Sequence, residues 1–118
     1  MLKSENRLKK RKEFAYLYNH GDAKHTTNLT IVYHSTKYRT TKIGFSVTKK
    51  IGKAYIRNRV KRVLRAVVGG FVPCILKDYN IVFIAKPGIE TLTFDAIKIQ
   101  VETLLKKAEL ISYGEKDV

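Results

Sequence analysis

Nine consecutive residues, Arg57 to Arg65, carry five cations and one amide: Arg57, Asn58, Arg59, Lys61, Arg62 and Arg65. The apolar residues in and around them, Ile56, Val60, Val63, Leu64, Val67 and Phe71, recur at three- and four-residue steps. That spacing places the apolar set on one side of a helix. Arg57, Lys61 and Arg65 step by four along a neighbouring line, Asn58 and Arg62 lie beside it, and Arg59 carries the charge further round. No acid falls between Ile56 and Phe71. A solvated helix ordinarily mixes signs, because like charges one turn apart repel. A polyanion would remove that repulsion. Guanidinium forks donate two parallel hydrogen bonds to phosphate, and an Asn amide can address a base edge, a 2′-hydroxyl or a phosphate.

Two further basic stretches flank this segment, Lys9-Lys10-Arg11-Lys12 and Lys49-Lys50 with Lys53. Each alone reads equally well as a solvated surface. Together with the central segment they favour a polyphosphate partner. Seven of the twelve aromatic residues are Tyr, a composition of partly exposed rings with a polar end. Phe14 and Tyr18 lie one helical turn apart, and Tyr33 sits on a strand next in sequence. Core packing is the default for such a trio. The functional alternative is a platform for unpaired bases, worth ~1–3 kcal/mol per stacked base.

Protein-borne catalysis finds no support. His20, His25 and His34 show no metal-ligand spacing with Cys74 or with paired acids, and His34 reads as a surface position of a strand. The acids are scattered, so local spacing places no two of them for two-metal phosphodiester cleavage. Neither a Walker-type phosphate loop nor a G-x-S-x-G turn occurs. Cys74 beside Pro73 reads as a small buried hydrophobe.

Charge is concentrated in one part of the chain. Over 118 residues the formal net charge is +14, and residues 1–65 hold 18 of the 24 Lys and Arg against three acids. Residues 66–118 hold six bases and seven acids. A basic half points to a phosphate-rich partner. A membrane is the rival anion, but no apolar run approaches the ~20 residues a span requires. Met1-Leu2-Lys3 is not followed by a signal-peptide core. A single cysteine excludes an internal disulfide and fits a reducing cytoplasm.

The elements that must position these groups follow from periodicity. Lys10 to Asn19 is expected to be a helix ended by Gly21, with Asp22–His25 a weak strand. Leu29 to Ser35 is a strand with Leu29, Ile31 and Tyr33 on one face. Thr36 to Thr40 is a hairpin loop into a strand over Thr41–Thr48. There Gly44 and Ser46 share a face, so something can approach the sheet closely. A basic loop, Lys49–Lys53, leads into the long helix, Ala54 to Val68, terminated by Gly69-Gly70. Asn80 to Ala85 is a buried strand and Pro87-Gly88 a turn. Thr93 caps a last helix whose stripe is Ile97, Val101, Leu104, Leu105 and Ala108. The order predicts one α+β sandwich of helices against a small, mostly antiparallel sheet. No linker divides residues 1–118, so they form one RNA-binding domain, with 1–8 and 113–118 mobile.

The segment Gly44-Phe45-Ser46-Val47-Thr48-Lys49-Lys50-Ile51-Gly52-Lys53-Ala54, running into Arg57-Asn58-Arg59-Val60-Lys61-Arg62, closely resembles the bacterial ribonuclease P protein subunit. So do Asn6-Arg7-Leu8-Lys9-Lys10 with Glu13-Phe14, and Asp78 to Lys86 followed by a helix. The resemblance covers roughly residues 5–108. It implies a four-stranded sheet with a left-handed β-α-β crossover through the long helix, where general statistics favour the right-handed form. It implies 5′ maturation of precursor tRNA by a catalytic RNA subunit, with Mg²⁺ held mainly by that RNA, and no membrane or further protein partner. It assigns Arg57, Asn58, Arg59, Lys61, Arg62, Arg65 and Lys53 to the catalytic RNA. Phe14, Tyr18, Tyr33, Lys49 and Lys50 are assigned to the single-stranded 5′ leader. Lys42 and Lys86 stand where that family usually has Arg, which keeps charge and loses the fork. A ribosomal or chaperone-like RNA binder would explain the charge but not the motif, and a self-sufficient nuclease is the third class.

Overall fold

Two apolar surfaces of unequal size lie on opposite sides of one sheet, and the helices divide between them. The computed structural model describes residues 7–37, 40–75 and 78–111. Its elements are α1 (Arg11–His20), β1 (Asp22–His25), β2 (Leu29–Ser35), β3 (Lys42–Ser46), α2 (Ala54–Phe71), β4 (Tyr79–Ala85) and α3 (Phe94–Lys107). Short 3-10 turns occupy Lys49–Ile51, Val72–Cys74 and Ile89–Thr91.

The sheet order is β1-β2-β4-β3. β1 with β2 and β2 with β4 are antiparallel, and β3 with β4 is parallel. The sheet is therefore mostly antiparallel, but β2 and β3 do not form the expected hairpin, because β4 lies between them. The physical reason is burial. Ile81, Val82 and Phe83 are each fully buried, and a strand apolar on both faces belongs at the centre of a sheet. β3, with Gly44 and Ser46 on one face, goes to the edge, and α2 returns the chain beside it.

The larger surface carries Leu29 and Ile31 of β2, Ile43 of β3, and Ile81 and Phe83 of β4. It packs against Val60, Leu64, Val67, Val68 and Phe71 of α2 and Ile97, Val101, Leu104 and Leu105 of α3. The smaller joins Val32 and Val82 to Leu17 of α1 and to Leu8, with Phe14 and Ile84 at its border. Leu8 is 5% exposed, and its N–H donates to Ile43 O at 2.9 Å. Arg7 bridges Ile43 in parallel. The expectation of a mobile arm over residues 1–8 is thus corrected at Arg7 and Leu8, because burying the Leu8 side chain fastens the segment to the edge of β3. Residues 113–118, and the Tyr38-Arg39 part of the loop, lie outside the described residues.

Helix boundaries show which local signals carried weight. Lys10 is the N-cap of α1, and Glu13 accepts its N–H at 3.3 Å. Gly21 ends α1, but with φ −80, not in a left-handed cap. Its lack of a side chain serves a close approach: a Cβ there would lie 2.7 Å from Leu17 O and 2.9 Å from Val32 Cγ1. Gly69-Gly70 do not end α2, which continues to Phe71. Burial of Val67, Val68 and Phe71 outweighs a cost of about 1 kcal/mol per helical glycine. Thr93 caps α3, accepting from Ala96 N at 3.1 Å.

Two stability changes follow from these positions. Gly70 sits inside a helix, and a Cβ there meets nothing within 4 Å. Gly70→Ala is expected to stabilise by about 0.5–1 kcal/mol; a loss in denaturant unfolding would restore the helix-stop reading. Leu8→Ala is expected to cost about 2–4 kcal/mol, and an unchanged unfolding midpoint would mean that the segment is not anchored.

Candidate nucleic-acid interface

On α2, the residues facing away from the core separate into two lines. Tyr55, Asn58, Arg59 and Arg62 are exposed at steps of three and four, with Tyr55 at 71% exposure. Beside them run the half-buried Arg57, Lys61 and Arg65. Lys61 and Arg65 turn toward the β3 edge, where they line a cavity of about 370 Å³ with Arg7, Lys9 and Phe14. Two guanidiniums are positioned by main-chain oxygens: Arg57 Nη1 donates to Gly52 O at 2.8 Å and Arg59 Nη2 to Glu90 O at 2.7 Å. Among the described residues, carboxylates pair with Lys42 (to Glu13, 3.6 Å) and Lys106 (to Glu102, 3.7 Å), and none pairs with a cation of α2. The face therefore keeps its charge, and its arginines are fixed through neutral acceptors. Lys53 is the exposed N-cap residue of α2.

The second component lies on the smaller face of the sheet. Helix α1 sits over the row Val32–Val82–Gly44, which the strand register sets side by side. Gly44 is small because Phe14 occupies the space above it: a Cβ would fall 2.6 Å from Phe14 Cζ. The close approach expected at Gly44 is thus made by the chain's own ring. Phe14 remains half-buried, Tyr18 is 49% exposed, and their centroids are 6.5 Å apart at 50°. The next row on this face, Thr30–Ile84–Ser46, leaves Ile84 and Ser46 partly open. Lys49 and Lys50 are exposed just beyond the end of β3 that carries Ser46. Phe14 and Tyr18 thus sit on α1 beside this face and Lys49 and Lys50 follow the end of β3, while the cavity that Phe14 itself lines is the one shared with Lys61 and Arg65.

Tyr33 does not belong with them. Strand alternation puts it on the opposite face from Val32, and its ring packs against the larger core. Burial pushes its phenol above the usual value, and the nearby Asp22, Glu109 and Tyr79 act in the same direction. The expectation of a three-ring platform is corrected to two rings. Lys42 is held by Glu13, and Lys86 Nζ donates to Thr26 O at 2.8 Å, so both act within the fold. Sequence reasoning missed Tyr16, which is 53% exposed on the other flank of α1, with His20 at 4.4 Å and His34 at 5.6 Å between ring centroids. The signal was available: Tyr16 and Tyr18 diverge by two residues on a helix, and His34 shares the parity of Val32.

Among the described residues no three His, Cys, Asp or Glu side chains converge as metal ligands. No helix is long and apolar enough to cross a membrane.

A mixed four-stranded sheet with three helices, one of them carrying an uncompensated cationic face, defines a small α+β domain. The protein belongs to the ribonuclease P protein family, whose model, Ribonuclease P, matches residues 2–109. It is 36% identical over 119 residues to the ribonuclease P protein component of Lactococcus lactis subsp. lactis, covering 98% of both chains. It is 35% identical over 111 residues to that of Caldanaerobacter subterraneus subsp. tengcongensis, covering 94% of each. The RNase P protein of Staphylococcus aureus matches its fold with a TM-score of 0.84 at 28% identity, over 91% of this chain and 98% of that one. The Thermotoga maritima protein, at 24% identity and a TM-score of 0.78, has the same fold. Membership implies a role in tRNA 5′ processing, as part of an endoribonuclease with an RNA partner.

The Tyr33 environment makes an alkaline prediction. An unfolded tyrosine ionises near pH 10. Folded Tyr33 ionises higher, so above pH ~10 the unfolded state binds fewer protons and stability falls as pH rises. Tyr33→Phe is expected to flatten that fall between pH ~10 and the folded value. An identical alkaline slope in both proteins would place Tyr33 in solvent.

Proposed function

We propose that this protein binds the catalytic RNA of ribonuclease P through α2 and Lys53 at its start, and holds the single-stranded 5′ leader of precursor tRNA in the groove beside Phe14 and Tyr18. The carrying observation is the face of α2, with five cations that no carboxylate among the described residues neutralises. Phosphates of an RNA would remove the repulsion between them, and Tyr55 adds an exposed ring to the same surface. Asn58, free on the outer line, can address a 2′-hydroxyl or a base edge.

In this reading the leader's bases meet Phe14 and Tyr18, and its phosphates pass Lys49 and Lys50. Mature tRNA has no leader, so those contacts favour precursor over product. Hydrolysis belongs to the RNA subunit with Mg²⁺. In this reading the RNA phosphates are the ligands of that ion. The protein contributes positioning and electrostatics, and its gain is strongly salt-dependent.

Reconstitution tests the whole account. The protein alone is expected to leave precursor tRNA intact, and added to the RNA it should lower the Mg²⁺ requirement. Cleavage by the protein alone would overturn the division of labour. Phe14→Ala or Tyr18→Ala is expected to weaken precursor binding by about 1–3 kcal/mol and to spare mature tRNA; equal losses for both RNAs would remove the leader from the groove. Arg62→Ala is expected to weaken assembly with the catalytic RNA and to reduce the salt slope by about one unit.

A further inference from the structure

The flank of α1 opposite Phe14 holds a groove that the proposed leader path does not use. Its volume is about 740 Å³, within the ~300–1,000 Å³ usual for small-ligand sites. Its floor is a row set by strand register, His34 of β2, Asn80 of β4 and Lys42 of β3, lying on the same sheet face as Val32, Val82 and Gly44. The row beneath α1 is apolar, whereas this one presents an imidazole, an amide and an ammonium side by side. The helix wall adds Tyr16, Lys10 and Lys12. The carboxylate in that wall, Glu13, is already engaged by the Lys10 N–H and by Lys42 Nζ. Tyr16 is set between His20 and His34, which orders an otherwise exposed ring. Among the described residues the Asn80 amide has no hydrogen-bond partner and is only half-buried, so its donors and acceptor face the groove without an internal claim on them.

A ring, a free amide and a cluster of ammonium groups are the parts that bind an unpaired nucleotide: stacking for the base, donor and acceptor for its edge, charge for its phosphate. We propose that this groove is a second RNA site, taking an unpaired nucleotide with its base on Tyr16, its edge at Asn80 and its phosphate between Lys10 and Lys12. The proposal rests on the RNA-binding reading above and extends it across α1. The groove and the Phe14–Tyr18 groove flank one helix, so a strand leaving one can continue round α1 into the other. The nucleotide comes either from the upstream part of the leader or from an unpaired position of the catalytic RNA.

The test uses the reconstituted holoenzyme with precursor tRNAs bearing a short or a long leader, and the variants Tyr16→Ala, Tyr16→Phe and Asn80→Ala. Tyr16→Ala is expected to lower affinity about five-fold or more, with Tyr16→Phe restoring it because the ring is kept. Loss confined to the long leader supports the site with the leader as source. Loss of assembly with the catalytic RNA, whatever the leader, supports it with that RNA as source. Phe14→Ala should weaken both leaders alike, so failure of the first groove is read separately from failure of the second. In the free protein, a single-stranded oligonucleotide is expected to shift the His34 and Asn80 side-chain resonances in NMR. If Tyr16→Ala and Asn80→Ala bind every RNA as the parent does and those resonances do not move, the groove is solvent-filled surface and the proposal falls.

Discussion

Burial of one side of α2 is the interaction on which the rest depends. Val60, Leu64, Val67, Val68 and Phe71 are each less than one-tenth exposed. At about 1.5–3 kcal/mol per buried side chain, they contribute far more than the few tenths of a kcal/mol lost to each like-charge pair one turn apart. The core can therefore hold a self-repelling surface in place before any partner arrives. Arg57 and Arg59 show how that surface is kept ordered without being neutralised. Each donates to a main-chain carbonyl, which fixes direction and leaves the positive charge unspent. A carboxylate in the same place would have ordered the side chain and cancelled its use.

The smaller face of the sheet works by subtraction. One short helix covers only the central row, and its two flanks are left open. Gly44 is what lets Phe14 settle low enough to be half-buried, so that the ring is held by the protein and still offers an edge to the groove. Leu17 and Leu8 anchor α1 and the preceding segment, and Gly21 allows the immediate turn into β1. With a second helix on this face the sheet would be fully covered and the grooves would vanish.

Local chemistry made much of this visible in the sequence. β2 runs over Leu29–Ser35 as its β-branched pattern predicts, Thr93 caps α3, and the cationic line of α2 lies where its four-residue steps put it. What stayed hidden was non-local. The insertion of β4 between β2 and β3 depends on which strand is apolar on both faces, and that becomes decisive only when all four compete for the centre. Strand parity already set Tyr33 on the face of Leu29 and Ile31, and the structure keeps it there; its assignment to the leader came from the family resemblance, and a tyrosine next to Val32 enters the opposite core. Gly69-Gly70 carried a true propensity that tertiary burial overrode. The polar row His34–Asn80–Lys42 draws one residue from each of three strands, and no reading along the chain brings them together.

If hydrolysis belongs to the RNA subunit, as proposed, the protein can still decide which RNA is cut. Interactions made equally with substrate and product leave the choice between them unchanged. In the proposed arrangement contacts with the leader would exist only before cleavage, so every base stacked on α1 would favour precursor over mature tRNA and would be surrendered when the leader departs. The proposed contacts with the catalytic RNA would persist through the cycle and could be strong without slowing release. The two surfaces therefore have different optimal strengths. In that reading the α2 face can be dense in charge because it would assemble once, whereas the groove would need few rings, partly exposed, so that binding stays reversible. That difference matches the sequence: arginines crowd one helix, and single aromatic residues are spaced along the other.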